Sequence, residues 1–451
     1  MNKNKITIEV NEMAGIFHNY DIRGIYPKEL DEEKMFKLGQ CISNYFNQKQ
    51  IIVGKDTRIS SPKLHNELIK GITDQGKDVI DIDLCSTPML YFASSFFSLP
   101  AVMVTASHNP KEYNGLKITQ KNSKPVGKDS GLDEIENMYR NNKFNKKTKG
   151  DVKKEDIMNK YREKIRSFIE KTPSLKMVID ASNGMTGLTI PKILEDFNIK
   201  KLNFELDGTF PAHSPNPMKK EAMEQLKNTV KKKSAAFGAI FDSDGDRIIF
   251  VDENGKEIAG DRILALIAKE VLMKKPGKVL YDLRCSKMIP EKIRQWGGTP
   301  IESRVGHSYI KERMTKGDIV FAGELSAHYY YNGFFNSENG LITLIKITNL
   351  LEKTKKKLSE LVEPLNEYYQ SGETNFSVED KEKAIKEVEK KYKKTAQNIK
   401  YLDGVTLEFD DWWFNLRKSG TEPVIRLNLE AETKSKMESK TNKIKQILSK
   451  L

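Results

Sequence analysis

Short apolar runs alternate with longer amphipathic stretches along the first third of the chain. The runs at 51–54, 79–82 and 101–104 have the length and composition of buried strands. Between the first two, residues 64–76 place apolar side chains at helical spacing. This alternation of strand and helix predicts a mostly parallel α/β sheet.

The same pattern restarts twice after a basic, Asn-rich stretch at 139–154, which we expect to be a linker. A second block has predicted strands at 177–180 and 238–241. A third has a predicted helix at 263–273, strands at 279–281 and 319–321, and a long helix at 341–351. A charged segment at 380–395 is a second linker or a helix, and a last amphipathic helix is predicted at 434–451. We therefore predict three α/β units followed by a smaller α+β unit.

Composition and charge narrow the possible functions only slightly. The 451 residues are enough for two to four domains, and the net charge of +13 attracts phosphates in nucleic acid, membrane headgroups or phosphorylated metabolites. Most lysine runs alternate with glutamate, which favours solvated helix faces. The three cysteines are far apart and show no metal-binding spacing, so we expect a reduced, cytoplasmic location. We predict no membrane segment, because no stretch approaches the roughly 20 apolar residues that a spanning helix needs.

The first motif that carries chemistry is TASHNP at 105–110, directly after a predicted strand. Ligands of α/β folds collect at the carboxyl ends of strands, so Ser107 beside His108 is a candidate nucleophile. Lys117, ten residues after Ser107, is placed to neutralise a phosphate. A simple polar turn remains the alternative interpretation of this motif.

The second motif is DSDGDR at 242–247, again after a predicted strand. Its carboxylates at Asp242, Asp244 and Asp246 are the oxygen ligands that Mg²⁺ prefers, and Arg247 is suited to a phosphate oxygen. An EF-hand is excluded because Arg247 stands where that loop needs glycine. A phosphatase with Asp242 as its nucleophile remains a competing interpretation.

Two further strand-end motifs complete the set. GELSAH at 323–328 offers Glu324, Ser326 and His328, which together can hydrogen-bond sugar hydroxyls and supply a general base. RKSGTEP at 417–423, followed by Arg426, combines guanidinium groups, hydroxyls and a glycine in what we interpret as an anion cradle. A basic turn before a strand is the alternative for this last motif.

The four motifs, in this order and spacing, resemble those of the α-D-phosphohexomutases, and most closely the bacterial phosphomannomutase/phosphoglucomutase branch. The resemblance runs nearly end to end, and includes YDIRG at 20–24, GKDTR at 54–58, WGG at 296–298 and GHS at 306–308. It implies three similar α/β domains with mixed sheets and a smaller C-terminal α+β domain, in a heart-shaped arrangement around a central cleft. The expected domains are 1–150 with the phosphoserine loop, 151–256 with the metal loop, 257–368 with the sugar loop and 369–451 with the phosphate loop.

The resemblance also implies an activity, the interconversion of hexose 1-phosphate and hexose 6-phosphate of mannose or glucose. A phosphoserine enzyme, Mg²⁺ and a hexose 1,6-bisphosphate would serve this reaction. The implied catalytic residues are Ser107, His108, Lys117, Arg247, His328 and Arg23, with His328 rather than His108 as the general base. The implied substrate-binding residues are Glu324, Ser326, Arg304, His307, Arg417, Ser419, Gly420, Thr421 and Arg426. The implied metal ligands are Asp242, Asp244, Asp246 and phosphorylated Ser107.

The sequence departs from the family pattern at three positions. Ala327 stands where many relatives have glycine, Arg304 replaces a lysine common in the closest branch, and Ser243 replaces a glycine. The first two leave the choice of sugar open. Leu325 stands where the glucosamine branch has glutamine, which disfavours phosphoglucosamine mutase without removing it as an alternative.

Two other classes stay open from sequence alone, the phosphatase with an Asp242 nucleophile and a basic nucleic-acid-binding protein. The latter rests on the +13 charge, and no aromatic-rich RNA motif or zinc-finger spacing supports it. We expect sugar phosphates as the partners, with no nucleic acid and no membrane, and a monomer or weak dimer.

Overall fold

The computed structural model describes residues 15–141, 143–145, 147–419 and 424–450. Within this part of the chain, four sheets of six, five, five and five strands follow one another. Helices accompany each sheet, and the predicted three α/β units with a smaller α+β unit are confirmed. No helix in the described ranges is long and apolar enough to cross a bilayer.

The first sheet has the strand order β1-β5-β4-β2-β3-β6. Its strands are β1 (Ile22–Ile25), β2 (Gln50–Lys55), β3 (Asp78–Leu84), β4 (Ala101–Val104), β5 (Tyr113–Thr119) and β6 (Val152–Lys154). Its helices are α1 (Glu32–Tyr45), α2 (Ser61–Asp74), α3 (Thr87–Phe97) and α4 (Leu132–Asn141). Strands β4, β2, β3 and β6 run parallel, and β5 is antiparallel to both of its neighbours.

The linker predicted at 139–154 is wrong at both ends. Helix α4 continues to Asn141, and residues Val152–Lys154 form the edge strand β6 beside β3. All three side chains of β6 are exposed, so no buried apolar run marks it in the sequence. An exposed edge strand is held by backbone hydrogen bonds, which side-chain periodicity does not report.

The second and third sheets are also mixed, with orders β11-β10-β9-β7-β8 and β13-β12-β14-β15-β16. The second has β7 (Met177–Asp180), β8 (Ile199–Leu202), β9 (Phe237–Phe241), β10 (Ile248–Asp252) and β11 (Glu257–Ile258), with α5 (Met158–Arg166), α6 (Thr186–Ile193) and α7 (Lys220–Lys233). The third has β12 (Lys278–Asp282), β13 (Thr299–Ser303), β14 (Ile319–Gly323), β15 (Tyr329–Tyr331) and β16 (Ser337–Glu338), with α8 (Gly260–Lys274), α9 (Met288–Gln295), α10 (His307–Lys316), α11 (Gly340–Thr354) and α12 (Leu358–Val362).

The fourth sheet is antiparallel throughout, with the order β17-β21-β20-β19-β18. It comprises β17 (Tyr369–Phe376), β18 (Asn398–Lys400), β19 (Val405–Glu408), β20 (Trp412–Lys418) and β21 (Ile425–Ala431), with α13 (Lys381–Tyr392) and α14 (Lys434–Leu448). The charged segment at 380–395 is therefore a helix, capped by the Asp380 side chain, rather than a linker. Position 451 of the predicted last helix lies outside the described residues.

The apolar core joins the first three units and leaves the fourth separate. One continuous cluster runs from Ile52 in β2 through Phe241 in β9 to Leu344 in α11, whereas the fourth unit packs around its own cluster with Phe414. Polar contacts join the fourth unit to the third, such as the Lys287 N–H donating to Glu430 Oε1 at 2.9 Å. Because apolar packing is dense and resists deformation, the loops of the first three units are held on one rigid framework.

Candidate active site

Ser107 sits in a tight loop directly after β4. Its backbone has a φ of 47°, in the left-handed region that non-glycine residues rarely adopt, and its side chain is buried. The Ser107 N–H donates to Thr105 Oγ1 at 2.9 Å, and its Oγ donates to Asp242 Oδ2 at 3.0 Å. The hydroxyl is therefore presented to the second unit, which carries the aspartates.

Arg58 holds this loop, a role that the sequence analysis did not assign. Its guanidinium donates to the backbone carbonyls of Ser107 (2.5 Å), Asn109 (2.7 Å), Pro110 (2.7 Å) and Tyr113 (3.0 Å). Asp56 accepts from its Nε at 3.2 Å, and the Phe210 ring of the second unit lies 5.2 Å from its guanidinium carbon. A fully buried arginine that supplies several carbonyls is a strong positional restraint, because each lost bond would leave a buried acceptor unsatisfied.

The three aspartates of the second motif lie together, as predicted, and the structure shows that they are buried. One carboxylate oxygen from each of Asp242, Asp244 and Asp246 lies within 4.8 Å of the others. The backbone N–H groups of Gly245 and Arg247 both donate to Asp242 Oδ1 at 3.1 Å, so the turn itself orients this carboxylate.

This cluster fits a hard divalent cation. Its donors are all oxygens, and Asp244 Oδ1 is buried with no hydrogen-bond partner among the described residues. Burial raises the pKa of Asp242 well above its ordinary value, and the charges of Asp246 and Asp244 raise it further. The negative charges of the three carboxylates repel one another, and a bound cation would offset this repulsion.

Lys117 and Thr87 of the first unit close over the aspartates. Lys117 Nζ donates to Asp244 Oδ2 at 2.6 Å and to Asp246 Oδ2 at 2.5 Å, and the Thr87 hydroxyl donates to Asp244 Oδ2 at 2.6 Å. Thr87 begins α3, and its N–H also donates to the Asp244 carbonyl at 2.9 Å. Thr87 was missed from sequence because no motif surrounds it. Lys117 was predicted, and the structure places it at the cluster.

The sugar-loop motif lies next to the same aspartates. His328 Nε2 is 3.4 Å from Asp246 Oδ1, and its Nδ1 is 3.4 Å from Glu324 Oε1 and 3.4 Å from Ser326 Oγ. Arg247 Nε lies 3.2 Å from His328 Nε2, which can accept its hydrogen bond only while the imidazole is neutral. Burial and Arg247 lower the pKa of His328, but Asp246 and Glu324 outweigh them and raise it to about 9.

Two other predicted residues contact the Ser107 loop. Arg23 Nη1 donates to Asn109 Oδ1 at 3.0 Å, while its Nε and Nη2 bind Asp21. His108 Nδ1 is 3.3 Å from Ser107 Oγ. Burial and the neighbouring cations, Arg247 first, hold the pKa of His108 well below its usual range, so this imidazole is neutral at physiological pH.

Arg304 precedes helix α10, and His307 is its first residue. The exposed Arg304 guanidinium lies 4.4 Å from the Tyr309 ring centroid, and His307 Nδ1 is 3.7 Å from Glu338. Tyr20 of the first unit donates to the Val305 carbonyl between them at 2.9 Å. The loop that carries both residues is thereby attached to the first unit.

The phosphate-loop motif is described only in part, because Gly420 and Thr421 lie outside the described residues. Arg417 is the last but one residue of β20, Ser419 directly follows that strand, and Arg426 lies on β21. Both arginines bind Glu373, through Arg417 Nη2 at 2.8 Å and Arg426 Nη1 at 3.1 Å.

Arg284 of the third unit links this region to the sugar loop. It forms hydrogen bonds of 2.9 Å to both oxygens of Asp282, and lies 3.6 Å from Glu324 and 3.7 Å from Glu373. Arg284 was not predicted from the sequence, although it lies two residues after the buried strand β12. A search for charged residues at every predicted strand end would have found it.

Comparison with known proteins agrees with this geometry. The profiles of Phosphoglucomutase/phosphomannomutase, alpha/beta/alpha domains I, II and III, match residues 14–146, 157–255 and 259–368, and that of the C-terminal domain matches 373–445. The chain belongs to the phosphoglucomutase/phosphomannomutase family. The resemblance inferred from the motifs is thus confirmed.

Individual relatives extend over nearly the whole chain. A phosphomannomutase of Methanocaldococcus jannaschii is 39% identical over 448 residues, which cover 97% of this chain and 98% of that protein. A phosphomannomutase of Vibrio cholerae is 36% identical over 455 residues, covering 96% and 98%. The crystal structure of a phosphoglucomutase/phosphomannomutase family protein from Burkholderia thailandensis superposes with a TM-score of 0.88 at 28% identity, covering 96% of this chain and 97% of that one.

Proposed function

We propose that this protein is a phosphohexomutase that interconverts hexose 1-phosphates and hexose 6-phosphates of mannose or glucose. The observation that carries the proposal is the contact of Ser107 Oγ with Asp242, 3.0 Å apart, beside the sugar-loop motif. A serine nucleophile, a cluster suited to a cation and a set of hydroxyl-binding groups stand together there. Membership of the phosphoglucomutase/phosphomannomutase family supports the same reaction.

Ser107, once phosphorylated, is the phosphoryl donor in this proposal. The bond from phosphorus to Ser107 Oγ breaks as a bond to the free sugar hydroxyl forms, which gives a hexose 1,6-bisphosphate. The bisphosphate turns around, and its other phosphoryl group returns to Ser107. Lys117 and Arg247 neutralise charge on the transferring group, and Arg23 holds the Ser107 loop through Asn109.

We assign transfer of the hydroxyl proton to His328, which touches both the aspartate cluster and the sugar loop. Its pKa of about 9 makes it protonated when Asp246 acts on it fully. A cation held by Asp246 would reduce the negative charge that acts on the imidazole, and would so favour the neutral form, which accepts a proton. His108, neutral beside Ser107 Oγ, is a hydrogen-bond partner rather than the base.

Asp242, Asp244 and Asp246 are the residues that would hold Mg²⁺, together with the phosphate on Ser107. The ion would supply charge neutralisation at the transferring group. In this proposal hexose 1,6-bisphosphate is both intermediate and activator.

The remaining residues bind the sugar phosphate. Glu324 and Ser326 take the sugar hydroxyls, and Arg304 and His307 contribute to the choice of sugar. Arg417, Ser419 and Arg426 hold the phosphate that does not react, with Gly420 and Thr421 expected to join them. The domain boundaries at 150, 256 and 368, a cytoplasmic location and a monomeric or weakly dimeric state stay predictions.

The test is a side-by-side assay of mannose 1-phosphate, glucose 1-phosphate and glucosamine 1-phosphate with Mg²⁺. Ser107→Ala should abolish turnover, and Ser435→Ala, on the exposed face of α14, should not change it. Intact mass should show one phosphoryl group on the wild type and none on Ser107→Ala. Steady release of inorganic phosphate that survives Ser107→Ala would establish the phosphatase instead, and glucosamine 1-phosphate as the best substrate would establish phosphoglucosamine mutase.

A further inference from the structure

Two arginines of the fourth sheet face each other across neighbouring strands. Arg417 on β20 and Arg426 on β21 are direct partners in the antiparallel register. Like charges in directly opposite positions of a sheet destabilise it. The pair therefore needs a nearby anion.

Glu373 supplies that anion from the next strand. Its Oε2 accepts from Arg417 Nη2 at 2.8 Å, and its Oε1 lies 3.1 Å from Arg426 Nη1, so one carboxylate bridges both guanidinium groups. The bridge is partly buried, and Arg417 itself is only 4% exposed. Two oxygens of one phosphate could bind the two arginines in the same way that the two oxygens of the Glu373 carboxylate do.

The backbone of β17 is built to aim Glu373 at the arginines. The register of β17 with β21 shifts between Gln370 and Glu373, and Gly372 adopts a φ of 68°. An extra residue in one strand re-aims the side chains beside it. Without this bulge, the side chains of β17 that follow it would face the opposite side of the sheet.

The cluster also has a donor left for a ligand. Arg417 Nε is buried and has no hydrogen-bond partner in the described part of the chain. Arg284, 3.7 Å from Glu373, is already neutralised by both oxygens of Asp282. A phosphate that displaces Glu373 would therefore gain the Arg417 Nε donor as well as the Nη groups.

We propose that Glu373 is an intramolecular counter-charge that occupies the phosphate-binding arginines and weakens their affinity for phosphate. Phosphate and Glu373 compete for the same two Nη groups. The effect on turnover rests on the proposed mutase function, in which Arg417 and Arg426 must release the bisphosphate before it turns around. Glu373 is a positioning residue that sets how readily the two arginines release phosphate.

The test is direct binding of inorganic phosphate to the full chain by isothermal titration calorimetry. Glu373→Gln removes the carboxylate charge that bridges Arg417 and Arg426, so we expect phosphate to bind roughly tenfold more tightly than to wild type. Glu373→Asp keeps the charge and should restore an affinity close to that of wild type. Glu389→Gln removes a charge from α13 that contacts Tyr401, and controls for overall charge.

Kinetics supply a second readout. For the substrate that the wild type converts, Glu373→Gln should lower KM and also lower kcat, because release slows. Phosphate affinity that is unchanged or weaker in Glu373→Gln overturns the proposal, and so does a wild type that binds no phosphate. Calorimetry does not need turnover, so it tests the role of Glu373 separately from the proposed function. If the protein and its variants bind phosphate as expected but show no mutase activity, the proposed function is refuted and the proposal for Glu373 still stands.

Discussion

The Ser107 hydroxyl donates to Asp242 Oδ2 at 3.0 Å, although 135 positions separate the two residues in the chain. One belongs to the first sheet's loops and the other to the second's. The Ser243 hydroxyl supports the same junction by donating to the Ser107 carbonyl at 2.6 Å. The departure from the family pattern at Ser243 thus gives this chain an added bond between the two loops.

Asp242→Asn should not destabilise the metal-free protein. The pKa of Asp242 is raised in the folded state, so this residue contributes stability that is lost as the pH rises through its folded pKa. Asparagine mimics the neutral form at every pH. In EDTA at pH 8 the variant should melt at or above the temperature of wild type.

In the presence of Mg²⁺, wild type should instead melt at a higher temperature than Asp242→Asn. A ligand that binds only the folded state stabilises it by about 2.7 kcal/mol at a hundred times its Kd. Mg²⁺ should therefore raise the Tm of wild type and leave that of Asp242→Asn nearly unchanged. Equal Mg²⁺-dependent shifts in both proteins would show that the cation binds elsewhere.

Arg58→Lys should be strongly destabilising although it keeps the charge. The three N–H donors of an ammonium group sit on one nitrogen and cannot reach the four backbone carbonyls that the guanidinium contacts. Unsatisfied buried carbonyls predict a loss of about 2–4 kcal/mol in chemical denaturation, together with a fall in kcat.

The matched control is Arg140→Lys, on α4, where the arginine contacts Glu136, one helical turn away, at a partly exposed position. We expect a change within about 0.5 kcal/mol there. Similar losses of unfolding free energy in both variants would argue against Arg58 as the residue that holds the Ser107 loop.

Ala327→Gly should stabilise the protein slightly. Ala327 is buried with a φ of 68°, a conformation that costs an L-residue about 1–2 kcal/mol, whereas glycine loses about 0.4–1 kcal/mol more chain entropy on folding. The net gain expected in urea denaturation is up to about 1.6 kcal/mol. Ala322→Gly, at a buried position within β14, should instead destabilise by about 1 kcal/mol. A loss at both positions would mean that the Ala327 methyl group packs favourably enough to offset the strain.

His213→Gln should cost more stability in acid than in alkali. Burial lowers the pKa of His213, but the hydrogen bond and charge of Asp180 outweigh it and raise the pKa above its ordinary value. The stabilisation from this pair is fully present below the unfolded pKa of about 6.5 and is lost as the pH rises through the folded pKa. The difference in unfolding free energy between wild type and variant should thus be larger at pH 5.5 than at pH 9. A pH-independent difference would show that the imidazole stays neutral.

The sequence by itself determined the four site motifs, because each is a short strand-end segment whose chemistry lies in contiguous residues. It also predicted most buried strands, such as 101–104, since burial on both faces leaves an uninterrupted apolar run. It could not predict β6, whose exposed side chains carry no such pattern.

Tertiary structure alone decided which side chains meet. Thr87 reaches Asp244 across 157 positions, and Glu373 reaches Arg417 only because of a bulge and a strand register. Arg58 likewise becomes a clamp only when the Ser107 loop folds around it. Periodicity reports which face of an element is buried, whereas these contacts depend on how separate elements pack, and that is set by the whole core rather than by any one segment.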